Sequence, residues 1–179
     1  MAEEKQRGTV QVYTGEGKGK TTAALGLALR ALGHGKKVIM LQFMKGDDRY
    51  GEVRMAAKLA AHGFTLEQHG LPTFVKKGAP SDEDLARARR GLERAREVLE
   101  AGDHDLVILD ELNVAVDYGL VDLADALDLL ERRPAHVELV CTGRYAPEEL
   151  RTRADYVSEV AEVKHPWRQG LQARAGVEF

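Results

Sequence analysis

Hydrophobic positions along this chain fall into two rhythms. The stretches at 37–43 (KVIMLQF), 105–111 (DLVILDE) and 137–141 (VELVC) are near-continuous apolar runs, as expected of strands covered on both faces of a parallel sheet. Residues 9–13, 64–68 and 155–163 read as further strands, the last at a sheet edge. Between them the spacing turns helical. Leu25, Ala28, Leu29 and Leu32 stand at i, i+3, i+4, i+7 and predict the buried face of a helix over 23–32, stopped by Gly33 and Gly35. Residues 52–62 read as a second helix. Ser81 caps a third, with Asp82, Glu83 and Asp84 in its first turn and an inner stripe of Leu85, Ala88, Leu92, Ala95 and Leu99. Its Arg- and Glu-rich outer face reads as solvated i,i+4 pairing. Residues 121–132 predict a fourth helix with Leu123, Ala126, Leu127 and Leu130 inward, and Pro147 opens a short fifth. The order β-α-β-α-β-loop-α-β-α-β-α-β predicts an α/β fold: one doubly wound, mostly parallel sheet of about six strands with flanking helices.

Composition narrows the setting. A chain of 179 residues, 44% apolar and 31% charged, fits one globular domain. A net charge of −3 without a basic run gives no electrostatic case for nucleic acid. The lone cysteine, Cys141, excludes an internal disulfide and fits a reducing cytosol; in an apolar run it reads as a small core residue. No apolar stretch approaches the ~20 residues of a membrane span. Residues 1–8 (MAEEKQRG) lack an apolar signal core and read as a mobile polar segment ahead of a domain at 9–179. The expected location is cytoplasmic.

The chemistry gathers at the carboxyl ends of the predicted strands. Strand 9–13 breaks into Thr14-Gly15-Glu16-Gly17-Lys18-Gly19-Lys20-Thr21-Thr22 and runs straight into a helix, the layout of a phosphate-binding P-loop. Glycines let backbone N–H groups turn toward phosphate oxygens, and the helix N-terminus adds its positive end. Lys20 would reach the outer phosphates, and the Thr21 hydroxyl would ligate Mg²⁺. The usual first glycine is Thr14 here, with Gly15 one step later. The run DLVILDE ends in Asp110 as a Walker B strand does, placing a carboxylate beside the P-loop to hold the metal directly or through water. A helix-capping acid is the plainer reading of Asp110 on its own. Glu111 follows, suited to the metal shell or to a substrate. Lys45-Gly46-Asp47-Asp48 and Thr142-Gly143-Arg144 close two other strands, where ligands collect in such sheets. Arg144 fits either a phosphate or a carboxylate partner. The irregular stretch 69–80 carries Phe74 and Val75 at its centre, which suits a functional loop or an aromatic tucked into the core. Triphosphate and Mg²⁺ leave the reaction open among an ATPase or small-molecule kinase, with Glu111 positioning the nucleophile, and a binding module without turnover.

Here a resemblance adds information. TGEGKGKTTAALGLALRALGHGKKV, LQFMKG, VILDE, CTGR and the VKH…G tail occur in the order seen in the P-loop corrinoid adenosyltransferases, which act on cob(I)alamin or cob(I)yrinic acid a,c-diamide. The chain resembles that family over roughly residues 8–179, and TGxGKGKT with QFxKG is the specific part. The resemblance implies a P-loop NTPase-like (RecA-like) domain and a transferase reaction. The Co(I) of a reduced corrinoid attacks C5′ of ATP, triphosphate leaves, and a Co–carbon bond to 5′-deoxyadenosyl forms, in adenosylcobalamin biosynthesis or salvage. ATP would lie reversed in the loop. Lys20, Thr21 and Glu111 would be the catalytic residues, Thr14 through Thr22 the ATP loop, and Thr21 with Asp110 the site of Mg²⁺, or Mn²⁺ in its place. Phe74 and Val75 would displace the lower axial ligand of the corrinoid. Some members carry Phe-x-Trp in that loop, where this chain has Phe74-Val75-Lys76. A homodimer covered in part by its N-terminal segment, and an electron donor such as a reduced flavoprotein, are likewise implied.

Overall fold

The computed structural model describes residues 7–179. Its strands are β1 (Val10–Thr14), β2 (Val38–Phe43), β3 (Phe64–His69), β4 (Leu106–Asp110), β5 (Glu138–Thr142) and β6 (Tyr156–Glu159). They form one sheet in the order β3-β2-β4-β5-β1-β6 with every adjacent pair parallel. Helices α1 (Lys20–Gly33), α2 (Gly51–Leu59), α3 (Asp82–Ala101), α4 (Leu112–Asp117), α5 (Leu123–Arg132) and α6 (Glu148–Arg153) supply the crossovers. The helix expected over 52–62 ends at Leu59 and passes into a 3-10 turn, Ala60–His62. The edge strand expected over 155–163 is shortened to β6. Of the residues expected to precede the domain, 1–6 lie outside the described chain. Gly8 is buried and donates its N–H to Ala135 O at 2.8 Å.

Side-chain alternation divides the core. In β2, Ile39, Leu41 and Phe43 face one layer and Val38 and Met40 the other. The first layer is the thicker, covered by α3, α4, α5 and α6; Ala88, Leu92, Ala95 and Leu99 form the seam of α3 as expected, joined by Gly91 and Val98. A capping box closes the start of α3, with Asp84 as its acid. The outer face of α3 pairs mostly across elements: Arg94 with Glu67 of β3, and Arg96 with Asp125 and Asp128 of α5. Arg87–Glu83 alone of the α3 ion pairs follows i,i+4.

The second layer departs from expectation. Ala24 and Ala28 are the buried residues of α1's apolar seam, whereas Leu29 is 66% exposed and Leu25 and Leu32 are half-buried. The helix begins at Lys20, tight on the loop, and lies against β4 and β5 through its smallest side chains. Leu25 and Leu32 pack at the margin of this layer, and with Leu29 they line an open cleft shared with Met55 and Leu59 of α2.

Register explains why core and site meet in one row. Leu41, Leu109, Cys141 and Val12 pair across four strands and are all buried. One residue on, Gln42 pairs with Asp110 and Tyr13 with Thr142. In a wholly parallel sheet every strand delivers these next residues to the same edge. Cys141 stays in the core, its thiol pushed up to about 12 by burial, which removes it as a nucleophile.

Candidate active site

A cleft of about 970 Å³ opens along this edge. Between β1 and α1 the loop turns through Gly15 (φ 96°) and Gly19 (φ 124°), both in the region glycine favours. Gly17 is held by contact instead: a Cβ there would lie 2.6 Å from Ala161 O, and its N–H donates to Val160 O at 2.7 Å. Residues 17–22 line the cleft; Thr14, Gly15 and Glu16 do not. Thr14 is buried, with its hydroxyl accepting from the Ala146 amide at 3.2 Å. Glu16 pairs with Arg144 at 3.2 Å, which answers for Arg144 the choice between a phosphate and a carboxylate partner in this state.

Lys20 curls back over the loop, its Nζ donating to Gly15 O at 2.7 Å and Gly17 O at 2.6 Å. Burial, then the neighbouring Arg144, lower its pKa. An ammonium held only by two carbonyls of a glycine loop is readily handed to an anion.

Asp110 sits at the centre. It is wholly buried, and its oxygens accept from Thr142 Oγ1 (2.6 Å), Lys45 Nζ (2.7 Å), Thr21 Oγ1 (2.9 Å) and Gln42 Nε2 (3.1 Å). Burial works to raise the Asp110 pKa, but Lys45 and these hydrogen bonds outweigh it and hold the carboxyl below its ordinary value. Glu111 goes the other way: burial, then the adjacent Asp110 charge, raise it. Its backbone takes a left-handed turn (φ 61°) while its N–H donates to Thr142 Oγ1 at 3.1 Å, aiming the side chain back into the cleft.

Thr21 Oγ1, on the cleft wall, therefore stands 2.9 Å from Asp110 Oδ1, which is buried behind it. A hydroxyl beside a carboxylate fits Mg²⁺, which takes few protein oxygens and fills its octahedron with phosphate and water. Among the described residues no group of three or more His, Cys, Asp or Glu gathers to form a fuller cage.

Phe74 is fully exposed and Val75 half-buried against the core; both border the same cleft as the P-loop. The alternative that Phe74 tucks into the core does not hold. Its loop is tied down by Lys77, whose Nζ meets Asp117 at 2.5 Å and stands 5.5 Å and 5.3 Å from the rings of Tyr118 and Tyr145. Neither Lys45 nor Thr142 was singled out as a ligand by spacing along the chain. Their position at the ends of strands next to β4 was the available signal.

Sequence comparison assigns the family. The sequence model of the ATP:corrinoid adenosyltransferases BtuR/CobO/CobP matches residues 6–179. The chain belongs to this family. A corrinoid adenosyltransferase of Pseudomonas aeruginosa is 37% identical over 97% of this chain and 85% of its own length. That of Escherichia coli K12 is 37% identical over 97% and 87%, and that of a Sinorhizobium species 35% over 97% and 81%. Two solved structures share the fold at 15% identity. The flagellar accessory protein FlaH of Methanocaldococcus jannaschii has a TM-score of 0.58 over 86% of this chain and 71% of its own, and the RadB recombinase 0.53 over 89% and 77%. This corrinoid adenosyltransferase is thus a P-loop, RecA-like domain that carries out ATP-dependent adenosylation of a reduced corrinoid. No helix among the described residues is long and apolar enough to cross a membrane.

Proposed function

We propose that the two walls of the cleft divide the reaction between them, with the triphosphate of ATP on the P-loop and the corrinoid against Phe74 and Val75. The single observation supporting this reading is one cleft lined both by Lys20 and Thr21, with Asp110 buried behind Thr21, and by a fully exposed phenylalanine. Co(I) supplies the electron pair that forms the bond to C5′, and the C5′–oxygen bond breaks with its pair going to the leaving triphosphate. The corrinoid is the nucleophile, so no protein base is required. The task left to the protein is orientation and neutralisation of the leaving group.

Lys20 would exchange its two loop carbonyls for phosphate oxygens, and the amides of the α1 N-terminus, which no side chain caps, would face the same anion. Thr21 and Asp110 would hold Mg²⁺, or Mn²⁺ in its place. When bound, the ion neutralises charge on the triphosphate. Glu111 would orient water or ammonium groups around that charge. Phe74 would press on the lower face of the corrinoid, with Val75 supporting it from the core. A homodimer, reduction by a protein such as a reduced flavoprotein, and a cytoplasmic location complete the reading.

The test is anaerobic: protein, Mg²⁺-ATP and chemically reduced cob(I)alamin, followed by visible spectrum. The expected result is a light-sensitive alkylcobalamin with one triphosphate released per turnover. Release of phosphate or ADP without alkylcobalamin would favour an ATPase or kinase. If cob(I)alamin is inert but the a,c-diamide reacts, this chain prefers the tail-less corrinoid.

A further inference from the structure

The segment Gln42-Phe43-Met44-Lys45-Gly46 carries β2 out to the site, yet the reaction as described leaves Lys45 without a task. Each position has a local reason. Gln42 donates to Asp110 at 3.1 Å, and Phe43 is wholly buried. Met44 turns the chain through φ 57°. Gly46 passes so close to the β3 exit that a Cβ would lie 2.2 Å from Gly70 O, and a Cβ on Gly70 would lie 2.2 Å from Lys45 N. The backbone of Lys45 is therefore pinned on both sides, while its side chain reaches into the cleft.

What that side chain touches is the metal site. Lys45 Nζ lies 2.7 Å from Asp110 Oδ2, 3.2 Å from Thr21 Oγ1 and 4.0 Å from Glu111 Oε1. The two nearest atoms belong to the pair that fits Mg²⁺. A buried carboxylate requires a counter-charge, and an ammonium provides it. A divalent ion seated on Thr21 and Asp110 would stand beside that ammonium, and like charges at such a separation in a partly dry cleft repel strongly. The ammonium on Oδ2 and an ion beside Oδ1 would compete for Thr21 Oγ1 and for the charge of one carboxylate. The side chain has a route away, since its Nζ is already 5.7 Å from the Tyr50 ring centroid on the cleft wall.

We propose that Lys45 is the resident counter-ion of the metal site, neutralising Asp110 until a nucleotide-bound divalent cation displaces it, and then turning to the triphosphate. The metal then enters with ATP and not before it, because the triphosphate supplies the negative charge that compensates the ion and the displaced ammonium together. Lys45 thereby becomes a further cation on the leaving group. The inference rests on the assignment of the metal to Thr21 and Asp110.

The experiment is a Mn²⁺ titration followed by electron paramagnetic resonance, on the full chain without nucleotide and with a non-reacting ATP analogue. Wild type should bind Mn²⁺ weakly alone. Lys45→Met, which keeps the stem and removes the charge, should bind Mn²⁺ alone at least about tenfold more tightly, and the analogue about tenfold more weakly. Its thermal midpoint, lowered without ligands, should be restored by Mg²⁺ alone, an ion that leaves wild type unmoved. Lys45→Gln serves if the Met variant does not fold. Equal Mn²⁺ affinity in wild type and variant without nucleotide would overturn the proposal, as would tight binding of Mn²⁺ alone to wild type. Thr21→Ala separates the premise: unchanged Mn²⁺ in its nucleotide complex would place the metal elsewhere and remove the competition with it.

Discussion

At the scale of single residues the site is a set of opposed charges with little slack. Lys20 is held by carbonyls alone, so its replacement leaves no buried carboxylate orphaned. Lys20→Ala should therefore fold normally while losing adenosyl transfer by about a hundredfold or more, the scale of removing one stabiliser of developing charge. Full activity with cob(I)alamin would remove the P-loop from the reaction. Glu111 gives a signed pH effect. Its folded pKa lies above the ordinary value of 4.5, because burial and Asp110 disfavour its charge. The folded state therefore holds this proton longer than the unfolded state, and stability falls as pH rises from the unfolded value through the folded one. Glu111→Gln removes that penalty. Denaturant unfolding without ligands should find the variant more stable than wild type at neutral pH, the gap closing as pH falls from the folded pKa to the ordinary value. A gap that persists in acid would mean packing, not charge.

Between residues and elements lies the boundary of what the sequence could tell. Lys20, Thr21 and Asp110 were legible because strand, loop and helix are continuous in the chain, and so was the apolar run that ends at Asp110. Lys45 was visible as a polar residue after a strand and as part of QFxKG, but without a partner. Its bond to Asp110 depends on β2 lying next to β4, and strand order is a property of the assembled sheet. The leucines of α1 misled for a related reason. Their spacing does define one face, but the fully buried positions of that face facing the sheet are the alanines, Ala24 and Ala28, with the leucines at its margin. The six residues of α4 were missed because LNVAVD is too short to show a helical period.

Element α4 matters to the corrinoid side, since its last residue, Asp117, anchors Lys77 of the loop that carries Phe74. An ion pair this exposed is weak alone, but here the same ammonium also meets Tyr118 and Tyr145. The loop is thus held from three sides while Phe74 projects free. Phe74→Ala should slow reaction with enzymatically reduced corrinoid about tenfold and that with pre-reduced Co(I) far less, a split expected of a residue acting on the reduction step. Equal losses in both assays would leave Phe74 a structural role only. Lys77→Met should show the same split in milder form, with faster amide exchange confined to the loop. Unchanged exchange would discharge the anchor.

For the whole molecule, the parallel sheet brings every strand's exit to one edge, and the chain beyond β6 then crosses that edge. Val160 follows β6 directly; its N–H donates to Thr14 O at 2.8 Å and its carbonyl accepts from Gly17. Further along, Phe179 meets the ring of Tyr50 edge-on at 6.5 Å and borders the cleft. The P-loop is consequently shaped from outside by the last part of the chain, with Gly17 as the point of contact. A methyl group at Gly17 would fall 2.6 Å from Ala161 O and 2.7 Å from Val160 O, both backbone atoms that cannot turn aside as a side chain would. Gly17→Ala should cost about 1 to 3 kcal/mol through this overpacking. In a domain of this size that lowers the thermal midpoint by roughly 2–4 °C per kcal/mol. ATP affinity should fall with it, because the loop cannot move off the crossing segment without tilting its own amides. Calorimetry with and without Mg²⁺-ATP measures both effects on one sample. A variant with wild-type stability and wild-type nucleotide affinity would show that the crossing chain lies on the loop without shaping it.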